Sequence, residues 1–476
     1  MSIPKNFDWP LAYEGEKFIR TRLDEFLANN SFARRLAARM QDETGTDFFE
    51  WVDHLVLSPD DETALVKAGF VHDNSAATVR ERPASMKGAG RAGSAKERSG
   101  EIILEHPHAT LPRVLLRRGK ANPSVVAIKP EFVADFITAN HLSVDPEGEP
   151  RSRYRRVVVS VEKGSQLEAV ERRAYRGFTP AKLKTGELAS ILKAAEIFST
   201  RPRYNESDAE GVAVAGKRLR QAIKLVGRDV ACHLFFEAER AWWERRNRAA
   251  RFQKFRQDTL GLGWGNHDHH TFRCSRAHFA DLIRFLTTLG FHKRERFYAG
   301  AEAGWGAQIA EQPVTGIVVF ADVDLMPEET SIDFSVSKLP PAPRLGTVGL
   351  WTGLHGESFL QAGMHHLEAR FDFASLRDQL QSNGLNMMKP FSDFEFLRQA
   401  FTEGERWPVC PERADRLASA GLITAEQRDK FISEGAIGSH LENLQRHGGF
   451  KGFNQKSVSA VIAATDPRKQ SAHAPA

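Results

Sequence analysis

The chain has 476 residues, of which 41% are hydrophobic and 27% charged, a composition typical of a globular protein of two or more domains. Its three cysteines, Cys232, Cys274 and Cys410, include no pair at CxxC spacing, which argues against a disulfide framework and a cysteine zinc site. Residues 1–26 lack the basic-then-apolar pattern of a signal peptide, and no apolar run reaches the length of a membrane span, so we expect a cytoplasmic protein.

In chain order, apolar residues at spacings of three and four predict helices over residues 1–48. An apolar run that contains His54 follows, and a helix start with acidic residues in its first turn comes after it. The small, basic and glycine-containing residues 76–100 predict a mobile loop. Strands are expected within residues 101–178, and mainly helices over residues 180–257.

The net charge of +5 is modest, and the basic surplus is concentrated in residues 151–159 and 239–257. The second run places arginines beside tryptophans and phenylalanines, a combination that could bind the phosphates of a nucleic acid. Because acidic residues are interleaved with the arginines, we favour an amphipathic helix with a solvated basic face. The chain has no zinc-finger, helix-turn-helix or RNA-recognition signature, so nucleic-acid binding is the most distant hypothesis.

A strand with a histidine, then a helix, then a glycine recurs three times. The histidines are His54, His269 and His366, and the glycines that close the units are Gly69, Gly290 and Gly384. This recurrence predicts three related βα modules.

The middle unit begins with an unusual run at residues 263–275, which reads GWGNHDHHTFRCS. If the run is a strand, its side chains alternate between two faces. One face then carries His267, His269, Thr271 and Arg273, and the other carries Asp268, His270, Phe272 and Cys274. A polar and basic face is unusual in a core and is typical of a functional site.

Four segments resemble, in order along the chain, motifs of one protein family: DHHTFR (268–273), HHLEARF (365–371), GSHLENLQR (438–446) and GFKGFNQKSVSAVI (449–462). The family is the iron-dependent 2-oxoadipate dioxygenase/decarboxylase family, also called hydroxyglutarate synthase, of the vicinal oxygen chelate superfamily. The resemblance covers residues 255–465. It departs from the family pattern at His365, which replaces an asparagine, at LEAR, which replaces a more polar stretch, and at the glutamate segment, which lacks an aromatic pair.

This resemblance implies an α+β fold in which vicinal-oxygen-chelate-like βα modules form a curled, mixed β-sheet half-barrel with additional helices. It further implies that His269, His366 and Glu442 bind Fe(2+), and that Arg273 binds the substrate and takes part in catalysis. Asn454 and Ser457 would contact a substrate carboxylate, although a plain turn into the last helix fits that run as well.

The implied domains are an N-terminal helical region with a degenerate module of the same type (residues 1–250), a metal-binding catalytic domain (251–465) and a disordered tail (466–476).

The residue types themselves support this chemistry. Two histidines and one carboxylate on one face of an iron leave positions open for a bidentate 2-oxo acid and O₂. On a strand, the Cα atoms of His269 and Arg273 lie roughly 13 Å apart on one face, at about 3.3 Å per residue. A six-carbon dicarboxylate fits between the metal and the guanidinium, whose planar fork grips a carboxylate through two hydrogen bonds.

Several alternatives stay open at this stage. His267 could replace His269 as a ligand because the two share a face, and only one of His365 and His366 can point inward. Glu368 is the local rival of Glu442, since it lies on the face of His366. The remaining candidates are weaker: His54 is more often structural than metal-binding, and His355 and His440 are possible outer contacts of the site.

The resemblance thus implies a non-heme iron dioxygenase/decarboxylase that converts a 2-oxo acid such as 2-oxoadipate, with O₂, into a 2-hydroxy acid (2-hydroxyglutarate) and CO₂, as in lysine degradation. We expect this enzyme to be cytoplasmic. The first alternative is another metalloenzyme of the superfamily: a glyoxalase-like lyase, an isomerase or an extradiol-type dioxygenase. The expected partner is a small 2-oxo dicarboxylic acid, with no membrane involved.

Overall fold

The computed structural model describes residues 9–73, 101–117 and 124–454, together with Asp466 and Arg468. Three predictions fall outside these residues: the loop at 76–100, the role of Ser457 and most of the tail at 466–476. Within the described ranges, no helix is both long enough and apolar enough to cross a membrane.

The helices are α1 (Tyr13–Asn29), α2 (Ser31–Arg39), α3 (Glu62–Lys67), α4 (Val133–Ala139), α5 (Glu187–Ser199), α6 (Asp208–Val226), α7 (Arg228–Glu244), α8 (Arg248–Asp258), α9 (Phe279–Thr288), α10 (Thr347–His355), α11 (Phe373–Gln381), α12 (Pro411–Ser419) and α13 (Ala425–Glu434). The strands are β1 (Val52–Leu57), β2 (Val71–His72), β3 (Glu101–Glu105), β4 (Arg113–Arg117), β5 (Ser124–Ile128), β6 (Tyr154–Glu162), β7 (Ser165–Arg172), β8 (His267–Arg273), β9 (His292–Tyr298), β10 (Trp305–Glu311), β11 (Val318–Asp324), β12 (His366–Arg370), β13 (Ser392–Phe394), β14 (Leu397–Phe401), β15 (Glu405–Trp407) and β16 (Ala436–Arg446).

The first seven strands form one mixed sheet in the order β2-β3-β4-β1-β5-β7-β6. Strand β1 pairs in parallel with β4 and antiparallel with β5, and β5 pairs in parallel with β7. Helices α1, α2 and α4 cover this sheet. Their apolar residues, such as Leu23 and Phe26, join Leu55, Val126 and Leu167 of the strands in one buried core.

The last nine strands form a second mixed sheet in the order β13-β14-β16-β12-β8-β11-β10-β9, with β15 paired to β16. Strand β8 pairs in parallel with β11 and antiparallel with β12, and β12 pairs in parallel with β16. The largest core lies between this sheet and helices α5, α7 and α9.

The two sheets repeat one topology. Strands β2-β3-β4-β1-β5-β7-β6 of the first correspond, in order and direction of pairing, to β9-β10-β11-β8-β12-β16-β14 of the second. In this correspondence β1, with its Asp53-His54 pair, is the counterpart of β8, with Asp268-His269. The chain therefore contains one structural unit twice.

The predicted α+β class with a curled, mixed half-barrel is confirmed. One side chain from each of seven strands of the second sheet lines a single cavity, so the sheet curls around it: Gln399 of β14, Glu442 of β16, His366 of β12, Thr271 of β8, Phe320 of β11, Trp305 of β10 and Phe297 of β9.

The three predicted βα units are confirmed: β1 is followed by α3, β8 by α9 and β12 by α11. The second and third units share one sheet, because β12 is the antiparallel neighbour of β8. In the first sheet β5, followed by α4, holds the place of β12, and this unit carries no histidine, so the sequence pattern missed it.

The basic run at 239–257 lies in the end of α7 and in α8, as the helical interpretation expected. Helix α8 also makes hydrogen bonds to both halves of the chain, the half with the first sheet and the half with the second. Gln253 of α8 donates to the carbonyl of Thr44 at 2.8 Å, and Asn247, its N-cap, donates to Ser439 of β16 at 2.7 Å. The predicted domain division near residue 250 falls inside this helix and stays a prediction.

Candidate metal centre

The buried end of the half-barrel brings together two histidines and two glutamates. His366 Nε2 lies 3.3 Å from Glu442 Oε2 and 3.7 Å from Glu368 Oε1. His269 Nε2 is in direct contact with Glu368 Oε2. Each side chain is 7% exposed or less. Two overlapping groups result: Asp268, His269 and Glu368 form one, and His366, Glu368 and Glu442 form the other. In each group the histidine and carboxylate atoms lie close enough together to hold a divalent cation.

Strand register explains the convergence. In the parallel ladder of β12 and β16, His366 pairs with His440 and Glu368 with Glu442, so both glutamates point to the same face. The antiparallel ladder of β8 and β12 pairs Thr271 with His366 and then shifts by one residue after Leu367. This β-bulge places His269 against Glu368.

The same bulge overturns the predicted face of His267. The extra residue reverses the alternation at the start of β8, and His267 packs its ring against His270 at a centroid distance of 5.3 Å. His267 therefore does not share the face of His269, and the two cannot exchange as ligands in this arrangement. His269, Thr271 and Arg273 do line one cavity, as alternation predicted.

Asp268 orients His269 through the ring nitrogen that points away from the glutamates. His269 Nδ1 donates to Asp268 Oδ1 at 3.0 Å, which leaves Nε2 as the atom that faces the glutamates. Asp268 also accepts from Arg370 Nε at 2.7 Å and from Arg446 Nη2 at 3.1 Å. Burial opposes the ionised carboxylate, but these two guanidiniums hold the pKa of Asp268 well below its usual value. Burial lowers the pKa of His269 to about 4, which favours the neutral imidazole that binds metals.

Glu442 has one hydrogen-bonded oxygen and one oxygen that faces His366 Nε2 without a hydrogen bond. Gln399 Nε2 donates to Glu442 Oε1 at 2.8 Å, while Oε2 has no hydrogen-bond partner among the described residues. Burial raises the pKa of this carboxyl well above its usual value. A buried carboxylate oxygen without a donor is costly unless a cation or proton satisfies it, so the donor set fits a metal ion.

Of His365 and His366, it is His366 whose ring points toward the glutamates. His366 directs Nε2 to the glutamates, and its Nδ1 lies 2.7 Å from Nδ1 of His365. His365 thus holds His366 from outside the centre. His355 and His440 bond to backbone carbonyl oxygens, those of Ile437 at 3.2 Å and Thr402 at 2.8 Å, and neither lines the cavity.

The other end of the cavity holds Arg273. Its Nε has no hydrogen-bond partner among the described residues, and the guanidinium lies over the Trp351 ring at 5.8 Å. Asp322, its register partner on β11, also faces the cavity, and Asp322 Oδ1 is likewise without a partner. Burial raises the pKa of Asp322 to about 7, although Arg273 acts in the opposite direction.

Aromatic rings form most of the cavity wall between these two ends. They are Phe297, Trp305, Phe320, Phe391, Phe401 and Phe453. Phe453 packs edge-on against His269 at 5.0 Å. Asn454 lines the same cavity and donates to the carbonyl of Phe391 at 3.0 Å, while Ser457 lies outside the described residues.

Sequence reasoning missed Asp268, Gln399 and Asp322 as parts of the site and ranked Glu368 only as a rival. Asp322 carried a usable signal, because it is a charged residue inside the apolar strand sequence VVFADVD. Asp268 carried one as well, because it directly precedes His269 in the DHHTFR motif. Gln399 carried none, since its role depends on the pairing of β14 with β16.

The first module contains a partial copy of this centre. His54 Nδ1 bonds to Asp53 at 2.7 Å, and Arg172 binds the same aspartate at 2.7 Å. Phe178 packs edge-on against His54 at 4.8 Å, as Phe453 does against His269. The register positions of His366 and Glu368, however, are occupied by Val125 and Ala127.

No protein-family profile matches the chain, and no curated protein matches it. Among solved structures, a variant of 4-hydroxymandelate synthase from Streptomyces coelicolor aligns with 89% of this chain and 99% of its own, at 12% identity and a TM-score of 0.28. Methylmalonyl-CoA epimerase from Mycobacterium tuberculosis aligns with 38% of this chain and 88% of its own, at 14% identity and a TM-score of 0.21. TM-scores this low carry no information about the function of this chain.

Proposed function

We propose that this chain is a metal-dependent enzyme of the vicinal oxygen chelate type, which binds Fe(2+) and oxidatively decarboxylates a dicarboxylic 2-oxo acid such as 2-oxoadipate. The observation that carries the proposal is the convergence of two imidazoles and two carboxylates at one end of a buried, aromatic cavity. At the other end lies Arg273, whose Nε has no hydrogen-bond partner among the described residues.

In this proposal His269, His366 and Glu442 hold the ion. Imidazole and carboxylate ligands suit Fe(2+), and three ligands on one face would leave adjacent positions open for a 2-oxo acid and O₂. Glu368 touches both histidines and is either a fourth ligand or a base that receives a proton from the substrate.

The protein residues have separate tasks along the cavity. Arg273 binds the distal carboxylate of the substrate through its planar fork. The aromatic walls contact the apolar middle of the molecule and keep water away from the reacting end. Asp268 and His365 hold the two histidine rings in their orientation through the bonds to Nδ1.

The test is an oxygen-electrode assay. The protein is loaded with Fe(2+) under anaerobic conditions and mixed with 2-oxoadipate, 2-oxoglutarate and a monocarboxylic 2-oxo acid of similar length. We expect O₂ uptake with release of CO₂ for a dicarboxylate, loss of uptake in His269→Gln, and normal uptake in the matched variant His54→Gln. Arg273→Met should raise KM for the dicarboxylate by about 10–100-fold, the loss of one charge-assisted pair. Absence of O₂ uptake with every 2-oxo acid would contradict the proposal.

The presence of two carboxylates beside the histidines favours one second candidate, a lyase or isomerase in which a glutamate moves a proton and the metal acts as a Lewis acid. The same protein loaded with Mn, Zn or Ni would then turn over a substrate without consuming O₂.

A further inference from the structure

A cleft of about 470 Å³ lies between the two sheets, outside the metal centre. A smaller pocket of about 90 Å³, called the inner arm below, shares Lys129, His267 and Thr315 with this cleft and is also lined by Arg172, Arg240 and Glu131. Three of these six side chains are cationic and one, Glu131, is anionic.

Lys129 has no ion pair or side-chain hydrogen bond within the described residues. Burial and the nearby guanidiniums of Arg370, Arg172 and Arg240 all lower its pKa, and only Asp53 raises it. Asp53 is already bound by Arg172, at 2.7 Å. A lysine held among three arginines without a carboxylate of its own is unfavourable in the absence of an anion.

Arg240 lines the same arm and also lacks a close hydrogen-bonded carboxylate. It is only 5% exposed, its Nε has no hydrogen-bond partner among the described residues, and its closest carboxylate, Glu131, lies 3.9 Å away. Its Nη1 is 3.4 Å from His270 Nε2. His267 Nδ1, on the next wall, is also buried without a partner. Buried polar atoms of this kind normally have a hydrogen-bond partner.

From this cluster we infer that the inner arm of the cleft is a binding site for a small oxyanion, either a phosphate group or a carboxylate, held by Lys129, Arg240 and His267. The site is separate from the proposed substrate cavity, because none of these three side chains lines that cavity. Its residues come from both halves of the chain, so a bound anion would also hold the two modules together.

The experiment uses the full chain in chloride buffer and follows tryptophan fluorescence and calorimetry, since Trp264 lines the arm. The probes are inorganic phosphate and succinate, which distinguish a phosphate source from a carboxylate source. Saturable binding of either probe is expected, with a rise in Tm as its concentration increases. Lys129→Met should weaken binding by about 10–100-fold, whereas Lys129→Arg should retain most of it.

Two controls locate the site. Lys451 lines the wide part of the cleft but is paired with Glu311 at 3.1 Å, so Lys451→Met should leave the affinity nearly unchanged. Arg273→Met should also bind the probe normally, which separates this site from the substrate cavity. Lys129 is half-buried and has no ion pair within the described residues, so Lys129→Met should fold and be at least as stable without phosphate. The inference is overturned if neither probe binds saturably, or if Lys129→Met binds as tightly as the native chain.

Discussion

At the scale of single residues, Arg273 and Asp322 show how the cavity is prepared for a polar ligand. They are register partners on β8 and β11, and each has a buried polar atom without a hydrogen-bond partner among the described residues. The neighbouring acid Asp324 differs, because it accepts the backbone N–H groups of Gly346, Val348 and Gly349 at the start of α10. Asp324 therefore stabilises the start of α10 through these hydrogen bonds. In Asp322, by contrast, Oδ1 remains available to a ligand that binds beside Arg273.

Asp322 should reduce the stability of the protein as the pH rises. Its pKa is raised from 3.8 to about 7, mainly by burial, so between about pH 4 and pH 7 the unfolded chain has lost this proton and the folded chain still holds it. Stability then falls by about 1.4 kcal/mol per pH unit in that window. Asp322→Asn should therefore match the native chain near pH 4 and exceed its free energy of unfolding by roughly 3–4 kcal/mol at pH 8.

Urea unfolding at several pH values measures this difference. Asp393→Asn, which changes an exposed aspartate on β13, is the control and should show no such pH-dependent gain. An Asp322→Asn variant that gains nothing between pH 4 and pH 8 would mean that the native Asp322 is ionised in the folded protein at little cost.

The sequence identified His269, His366 and Arg273 as neighbours because the histidine run and the family resemblance agreed. It placed His267 on the wrong face for a physical reason. Period-two alternation holds only along a regular strand, and a bulge of one residue reverses it. Nothing in the letters of residues 267–269 signals that bulge, which depends on how β12 pairs with β8.

At the scale of elements, β7 and β16 carry the same pattern, a glutamate followed four residues later by an arginine. In β16 these are Glu442 and Arg446, and in β7 they are Glu168 and Arg172. Each arginine reaches the aspartate that precedes a histidine on a strand two places away in its sheet, at 3.1 Å for Asp268 and 2.7 Å for Asp53. In both modules the arginine thus holds the aspartate, and the aspartate holds the ring of the histidine that follows it.

This correspondence provides a matched pair of substitutions. Asp268→Asn should lower metal affinity by about 10–100-fold, since it weakens the bond that orients His269, and should cost roughly 3–5 kcal/mol of stability by leaving two arginines without their carboxylate. Asp53→Asn should also cost stability, for the same reason at Arg172, but should leave metal affinity unchanged. Metal titration and denaturant unfolding of both variants measure the two effects. Equal loss of metal affinity in both variants would contradict the proposed centre.

At the scale of the whole molecule, local periodicity was enough to predict helices α1 and α2 within residues 1–48 and the helices at 239–257, whereas the α+β half-barrel followed from the family resemblance. It could not show that the chain contains one seven-strand pattern twice, because β1 and β8 are far apart in sequence and their partners are fixed by long-range pairing. The register of those partners, and with it the cavity and the cleft, depends on tertiary contacts.

The duplication has a direct consequence for metal stoichiometry. The first module retains His54, its aspartate and Glu168, but Val125 and Ala127 occupy the positions of His366 and Glu368. One histidine and one carboxylate are too few ligands for tight binding of a divalent ion. We therefore expect one equivalent of metal per chain, measured by elemental analysis after dialysis. His54→Gln should keep that equivalent, and His366→Gln should lose it; two equivalents in the native chain, or loss of metal in His54→Gln, would show that both modules bind metal.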